Sequence, residues 1–352
     1  MKIIHCADLH LDSKIDIKDK AKSTLRKEEV LHSFERLCDY AKQNFVSAII
    51  IAGDLFDSEK GSVAVVERVL EIISKAPSIT FLYLPGNHEK DRLISSAVAL
   101  PENLKLFGED WTCFSKGKVN FIGRTETAKN MFSTLKLNEN EINILVLHGE
   151  LKDLSDAGGA IGKREISDMG IDYVALGHYH TYSHTKIDIR CSAVYSGTPE
   201  GRGFDEAGEK GFVLIEAGQK GINHTFIRSQ KRTLRIVELD ATRIHGVLGL
   251  RDAIRGKTAD IPSCDLVRVV IKGTVNPGVK HDVDAITDCF ADDFYCFEVK
   301  DESHLEISAD DYKNDKSLKG EFIRLVLSRD ELSEEEKESI IDCGLKALMG
   351  EE

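Results

Sequence analysis

The chain has 352 residues, of which 41% are hydrophobic and 30% charged. That is enough apolar material for a sizeable core and enough length for two domains, which excludes a disordered chain. The formal net charge of −13 argues against a nucleic-acid partner held by bulk electrostatics, because phosphates draw on Lys and Arg; bound divalent cations would offset part of it locally.

No apolar run approaches the roughly 20 residues of a membrane span, so no membrane association is expected. The opening "MKIIHCADLHLD" turns polar too early for a signal peptide. Eight cysteines are scattered without a Cys-x-x-Cys pair. This predicts reduced thiols and a cytoplasmic protein rather than a disulfide framework.

Along the chain one device recurs: a short apolar run that ends in ligand-type polar residues. "MKIIHCADLH" ends in Asp8 and His10. Helical periodicity follows over residues 26 to 43, through Val30, Phe34, Leu37 and Ala41. "SAIIIAGDLFD" then presents Asp54, and a second helical pattern covers residues 62 to 75. "TFLYLPGNHE" ends in Asn87 and His88, "NILVLHGEL" in His148, and "DYVALGHYH" in His178 and His180. Continuous apolar runs of this length read as strands buried on both faces, and strand–helix alternation predicts an α/β layered fold. Ligands of such folds collect at the carboxyl ends of the strands, so all five clusters are expected on one edge.

The character changes after residue 225. A basic run, Arg228 to Arg235, is read as a solvated linker. Strand-like and helix-like stretches then alternate up to "DFYCFEVKD", without ligand-type clusters. From about residue 317 the periodicity is helical, and Ser333 to Glu336 forms a capping box. The expected domains are residues 1–225, a small α/β domain over 226–312, and a helical segment over 313–352 suited to docking a partner.

Asp8 and His10, like His178 and His180, are spaced two apart, so each pair can point to one side of an extended chain. With Asp54, Asn87 and His148 they make seven ligand-type residues. Imidazole with carboxylate and amide oxygen, and no thiolate, suits Mn²⁺, Fe²⁺ or Zn²⁺. Seven ligands are too many for one ion with an open position and suit two ions about 3.5–4 Å apart, with Asp54 the natural bridging carboxylate. Lone residues such as His5, His184 and His224 are read as structural or surface groups.

The motifs "DLH", "GDLFD", "GNHE", "HGE" and "GHYH", in this order, resemble those of the calcineurin-like metallophosphoesterases. The resemblance covers residues 1 to 225. "DYVALGHYH", the loop "YSGTPEGRGFDE" (195–206) and the small following domain are similar to the SbcD-type DNA repair exonucleases. The resemblance implies a four-layer sandwich of two mixed sheets flanked by helices, with a small α/β cap domain and a C-terminal helical tail. It implies Asp8, His10, Asp54 and His180 on one ion and Asp54, Asn87, His148 and His178 on the other.

The ions expected are two Mn²⁺, with Fe²⁺, Zn²⁺ or Mg²⁺ as alternatives. His88 would be the catalytic residue, facing the phosphoryl oxygens or the leaving oxygen, and Asp57 would orient a ligand. Arg202 would either contact phosphate or pair with Glu206 or Glu209. The implied activity is a Mn²⁺-dependent DNA exonuclease, with some endonuclease action, that uses a dimetal-activated water in DNA repair. The implied partners are DNA, a separately encoded SbcC-like coiled-coil ATPase, since this chain has no P-loop, and a second copy in a homodimer. Two other functions fit the same residues: a metallophosphodiesterase of a small nucleotide or other phosphoester, and a non-catalytic scaffold with this fold.

Overall fold

The computed structural model describes residues 1–57, 62–85, 100–128, 130–154, 159–219, 221–244, 246–275, 282–305, 312 and 314–348. The chain divides into two compact units, Met1–Leu234 and Arg235–Glu352.

Among the described residues, the strands of the first unit are β1 (Lys2–Cys6), β2 (Ala48–Ile51), β3 (Thr80–Tyr83), β4 (Leu104–Leu106), β5 (Thr112–Lys116), β6 (Val119–Gly123), β7 (Ile142–His148), β8 (Leu151–Lys152), β9 (Ile161–Gly162), β10 (Tyr173–Gly177), β11 (Ser183–Lys186), β12 (Ser192–Tyr195), β13 (Gly211–Gly218) and β14 (Gly221–Arg228). Two six-stranded sheets result, ordered β14-β13-β1-β2-β3-β4 and β11-β12-β10-β7-β6-β5. Both are mixed. β1 to β4 run parallel and β13 joins β1 antiparallel. In the second sheet β6, β7, β10 and β12 are parallel while both edge strands are antiparallel. β14 pairs with β13 along its whole length, which carries the first unit past residue 225 to Leu234.

Alternation along the strands explains the unbroken apolar runs. Ile3, Ile50, Ile144, Val146 and Ala175 pack between the two sheets. Their neighbours Ile4, Ile49 and Ile51 face the outer side of the first sheet, under Phe34, Leu37, Val69 and Ile73 of helices α1 (Lys20–Gln43) and α2 (Val63–Ser74). Leu145, Leu147, Val174 and Leu176 form the outer core of the second sheet with Met131 and Phe132. Side chains one apart thus fill different layers, so the central strands read as nearly continuous apolar runs. Helix α1 begins six residues before its periodic stretch, because the Asp19 carboxylate accepts the N–H groups of Ala21 and Lys22.

The second unit holds β15 (Leu234–Asp240, its first residue closing the first unit), β16 (Leu266–Lys272), β17 (Thr274–Val275), β18 (Cys296–Asp301) and β19 (His304–Leu305). β15, β16 and β18 form a three-stranded sheet. Helices α3 (Gly246–Thr258) and α4 (Val283–Phe290) cover it with Leu250, Ile254, Ile286 and Phe290. Helices α5 (Leu318–Leu327) and α6 (Glu334–Leu348) pack on each other through Ile323, Val326, Ile341 and Leu345. The capping box forms: Ser333 N–H donates to Glu336 Oε2 at 2.8 Å and Glu336 N–H to Ser333 Oγ at 3.3 Å.

One buried charge cluster ties α1 to the loop after β12. Arg26, fully buried, donates to Glu29 at 3.0 Å, to Glu200 at 2.7 Å and to the Gly201 carbonyl at 2.6 Å. Arg36 takes the other Glu200 oxygen at 2.7 Å, and Arg232 grips both Glu29 oxygens at 2.8 Å. The basic run at 228–235 is therefore not a plain solvated linker. Lys231 and Arg232 answer Glu29 on the inward face of α1, which an apolar pattern does not reveal.

Arg26→Met is expected to destabilise the protein by about 3 kcal/mol, the low end for breaking a buried pair, because Arg36 and Arg232 remain; urea unfolding measures it. Burial alone would raise the Glu29 carboxyl, but hydrogen bonds from Arg232, Lys231 and Arg26 outweigh it and hold it down at about 2. A depressed carboxyl contributes stability above its unfolded pKa, roughly 4.3, and loses it as pH falls toward the folded value. Glu29→Gln should therefore flatten the acid limb of a stability–pH curve between about 4.5 and 2.

Candidate metal centre

Beyond the ends of β1 and β2 the two chains stay zipped. Asp8 N–H donates to Gly53 O at 3.2 Å, His10 N–H to Asp54 O at 2.9 Å and Leu11 N–H to Leu55 O at 2.8 Å. These bonds carry Asp8, His10 and Asp54 past the sheet edge together. From the second sheet, β7 ends in His148 and β10 delivers His178. The sheets nearly touch here. A Cβ on Gly177 would lie 2.0 Å from Ala52 O and 2.7 Å from His148 Nδ1, and one on Gly53 2.0 Å from His148 Nδ1. Only glycine fits at either place. Asp8, His10, Asp54 and His178 all have positive φ, 52°, 44°, 48° and 110°. Such backbone is costly for non-glycine residues and clusters at functional sites.

The ligand atoms of Asp8, His10 and His180 lie within 4.8 Å of one another, and so do those of Asp8, Asp54 and His148. His10 Nε2 is 3.3 Å from His180 Nε2. Asp8 is common to the two sets, and Asp54 Oδ2 of the second stands 3.4 Å from His148 Nε2 and 3.6 Å from His10 Nε2 of the first. Donors each about 2.1 Å from one ion are roughly 3.0–3.4 Å apart, so these separations fit two neighbouring divalent cations.

His178 contributes its backbone N–H to both Asp8 oxygens at 2.9 and 3.0 Å. Its exposed ring stands beside that of His148, centroids 5.7 Å apart, and belongs to neither set. Asn87 and His88 lie outside the described residues.

The outer contacts set which ring nitrogen is free. His148 Nδ1 is 2.9 Å from the Ala52 carbonyl; a carbonyl only accepts, so Nδ1 carries the proton and Nε2 is left for a cation. His180 Nδ1 lies 2.7 Å from Glu206 Oε1, and its carbonyl accepts from Lys210 Nζ at 2.7 Å. Arg202 pairs with Glu206, not with Glu209, and its Nη1 reaches Asp57 Oδ1 at 3.1 Å. Asp57 Oδ1 in turn is 3.4 Å from His10 Nδ1. The roles of Glu206 and Lys210 toward His180 escape a reading of the sequence. Glu206 stands out there only as an acid four residues from Arg202, and Lys210 not at all.

Electrostatics follow from this packing. Burial, partly offset by His148 and the His178 N–H, lifts the Asp8 carboxyl to about 6. Burial would lower His148, but Asp54 outweighs it and raises the imidazole to about 9. Burial and the Arg202 charge lower His10 to about 4. Burial would raise Glu206, yet hydrogen bonds from His180 and Arg202 hold it at about 2. A site that stabilises so much opposed charge at close range is suited to cations.

Paired carboxylate–histidine sets at the carboxyl edges of two mixed sheets define a dimetal phosphoesterase. The calcineurin-like phosphoesterase family matches residues 1–182, just over half of the chain, and the chain belongs to that family. Its relatives include the DNA double-strand break repair protein Mre11 of Methanopyrus kandleri, 26% identical over 277 residues, which cover 69% of this chain and 60% of that one. The SbcD component of the nuclease SbcCD of Staphylococcus saprophyticus is 26% identical over 281 residues, 68% and 72% of the two chains. The uncharacterized metallophosphoesterase YhaO of Bacillus subtilis is 24% identical over 298 residues, 78% and 72%.

Gly177→Ala is expected to push His148 off its position. Divalent-cation affinity should drop at least tenfold, the scale seen when metal-site supports are disturbed, and overpacking should cost roughly 1–3 kcal/mol. Calorimetric Mn²⁺ titration and thermal unfolding measure the two effects.

Proposed function

We propose that this protein is a Mn²⁺-dependent DNA phosphodiesterase, an exonuclease with some endonuclease action, serving DNA repair. The observation that carries the reading is the pair of ligand sets that share Asp8, with Asp54 of one set 3.6 Å from His10 of the other, in a chain whose relatives include Mre11 and the SbcD component of SbcCD. Asp8, His10, Asp54 and His180 would hold one ion, and Asp54, Asn87 and His148 the other, which His178 would join by turning in the exposed ring that stands beside His148. Imidazole nitrogens mixed with carboxylate oxygens favour Mn²⁺ over Mg²⁺. When bound, the two ions supply an activated water and offset charge on the phosphoryl oxygens.

The chain's own contribution is positional. Ala52 O and Glu206 fix the tautomers of His148 and His180, while the His178 N–H holds the Asp8 carboxylate. His88 would stabilise the phosphoryl oxygens or protonate the leaving oxygen. Leu318 and Leu325 on α5 and Ile340 and Leu348 on α6 are exposed, which supports docking of an SbcC-like coiled-coil ATPase. Among the described residues no helix is long and apolar enough to cross a membrane. A second reading, hydrolysis of a small nucleotide ester, is favoured by the net charge of −13.

Labelled linear double-stranded DNA incubated with the purified chain tests the proposal. Shortening with Mn²⁺, none with EDTA, and a loss of roughly 10²–10⁴-fold in His88→Ala are expected. Intact DNA alongside turnover of bis-p-nitrophenyl phosphate would overturn the DNA assignment and support the small-ester reading.

A further inference from the structure

We infer that Glu206 is the positioning residue for His180, and that Arg202 ties it to Asp57 behind His10, so that one charged bracket supports one of the two ions selectively. The inference rests on the metal reading above and extends it to residues that touch neither ion nor substrate.

Both imidazoles of the Asp8–His10–His180 set turn Nε2 inward, 3.3 Å apart. Their outward Nδ1 atoms face carboxylates: Glu206 Oε1 at 2.7 Å behind His180 and Asp57 Oδ1 at 3.4 Å behind His10. An ionised carboxylate only accepts, so the short contact fixes the proton on His180 Nδ1 and leaves Nε2 basic and aimed inward. Arg202 spans the two carboxylates. Its Nε and Nη2 engage Glu206, its backbone N–H donates to Glu206 Oε2 at 2.8 Å, and its Nη1 donates to Asp57 at 3.1 Å. The guanidinium is thereby committed to the bracket rather than to a phosphate.

The loop that carries the bracket is itself pinned. Glu200 is buried against Arg26 and Arg36, and the His180 carbonyl accepts from Lys210 Nζ at 2.7 Å. Glu206 is 2% exposed, and its carboxylate oxygens are taken up by Arg202 and His180. At the imidazole of the second set the hydrogen-bond partner is neutral: His148 Nδ1 meets the Ala52 carbonyl at 2.9 Å, and the carboxylate nearest that nitrogen, Asp8 Oδ1 at 3.8 Å, is itself one of the ligand-type groups. A carboxylate behind an imidazole raises its basicity more than a carbonyl does. The two ions should therefore depend differently on Glu206.

The test is calorimetric titration of the metal-free full chain with Mn²⁺ at pH 8, for the wild type and three variants. In Glu206→Gln one ion is expected to bind roughly 10–100-fold more weakly while the other stays within about threefold. Arg202→Gln, which alters a partly exposed side chain, should weaken the same ion. Asp205→Asn removes an exposed charge from the same turn and should leave both affinities within about threefold. Thermal unfolding of metal-free Asp205→Asn should match the wild type, whereas Glu206→Gln, which breaks a buried ion pair, should unfold at a lower temperature even though only one ion is weakened. Wild-type affinities in both Glu206→Gln and Arg202→Gln, or equal weakening of both ions with a lowered unfolding temperature, would overturn the inference. A wild type that binds no Mn²⁺ sinks this inference and the metal reading together. A wild type that binds two ions and leaves DNA intact sinks only the DNA assignment, because the titration reads binding rather than turnover.

Discussion

The contact that makes the site possible is the near-collision of the two sheets at their carboxyl edges, where Gly177 lies against the Ala52 carbonyl and Gly53 against the His148 ring. The first sheet supplies Asp8, His10 and Asp54 and the second His148 and His180, so neither contribution works unless the backbones approach this closely. The same approach lets the Ala52 carbonyl of one sheet hold the His148 imidazole of the other. Backbone bonds between the loops after β1 and β2 then hold Asp8, His10 and Asp54 in unfavourable φ. The strain persists because the close-packed apolar layers on both faces of the central strands over-determine these loops.

Charge is managed by burial in pairs. The protein is strongly acidic overall, yet its interior holds Arg26, Glu29, Glu200 and Glu206 among opposite charges. Buried ion pairs of this kind often add no stability over apolar residues of similar volume. Their effect is specificity of placement. Arg26 and Arg36 locate the loop after β12, and that loop presents Glu206 and Arg202 to His180 and Asp57. Two ion-pair clusters, joined by the backbone of residues 200 to 206, thus lie between the first helix and the candidate metal centre.

Much of the site is legible in the sequence because metal chemistry restricts residue type. Few apolar strands end in Asp, Asn or His, and five such ends in order are hard to produce by packing alone. Asp8, His10, Asp54, His148 and His180 are accordingly brought together. The ring of His178 is exposed and stands outside both sets, since its i, i+2 spacing from His180 implies a shared direction only where the chain stays extended, and its φ of 110° breaks that condition. Apolar periodicity starts helix α1 too late, because the first turn is polar and is fixed by an Asp cap.

The layered α/β class, the five apolar runs that end in ligand-type residues and the helices α1 and α2 between the first of them are carried by the sequence alone, because they follow from local periodicity and from donor chemistry that single residues possess. Tertiary packing was needed to establish that Arg202 belongs to Glu206 and Asp57, that Glu206 stands behind His180, and that Arg232 grips a carboxylate on α1 some 203 positions earlier in the chain. Charged side chains carry no periodic signal for their partners. Which of many acids and bases meet is set by the packing of elements distant in sequence, and that packing exists only once the two sheets have closed on each other.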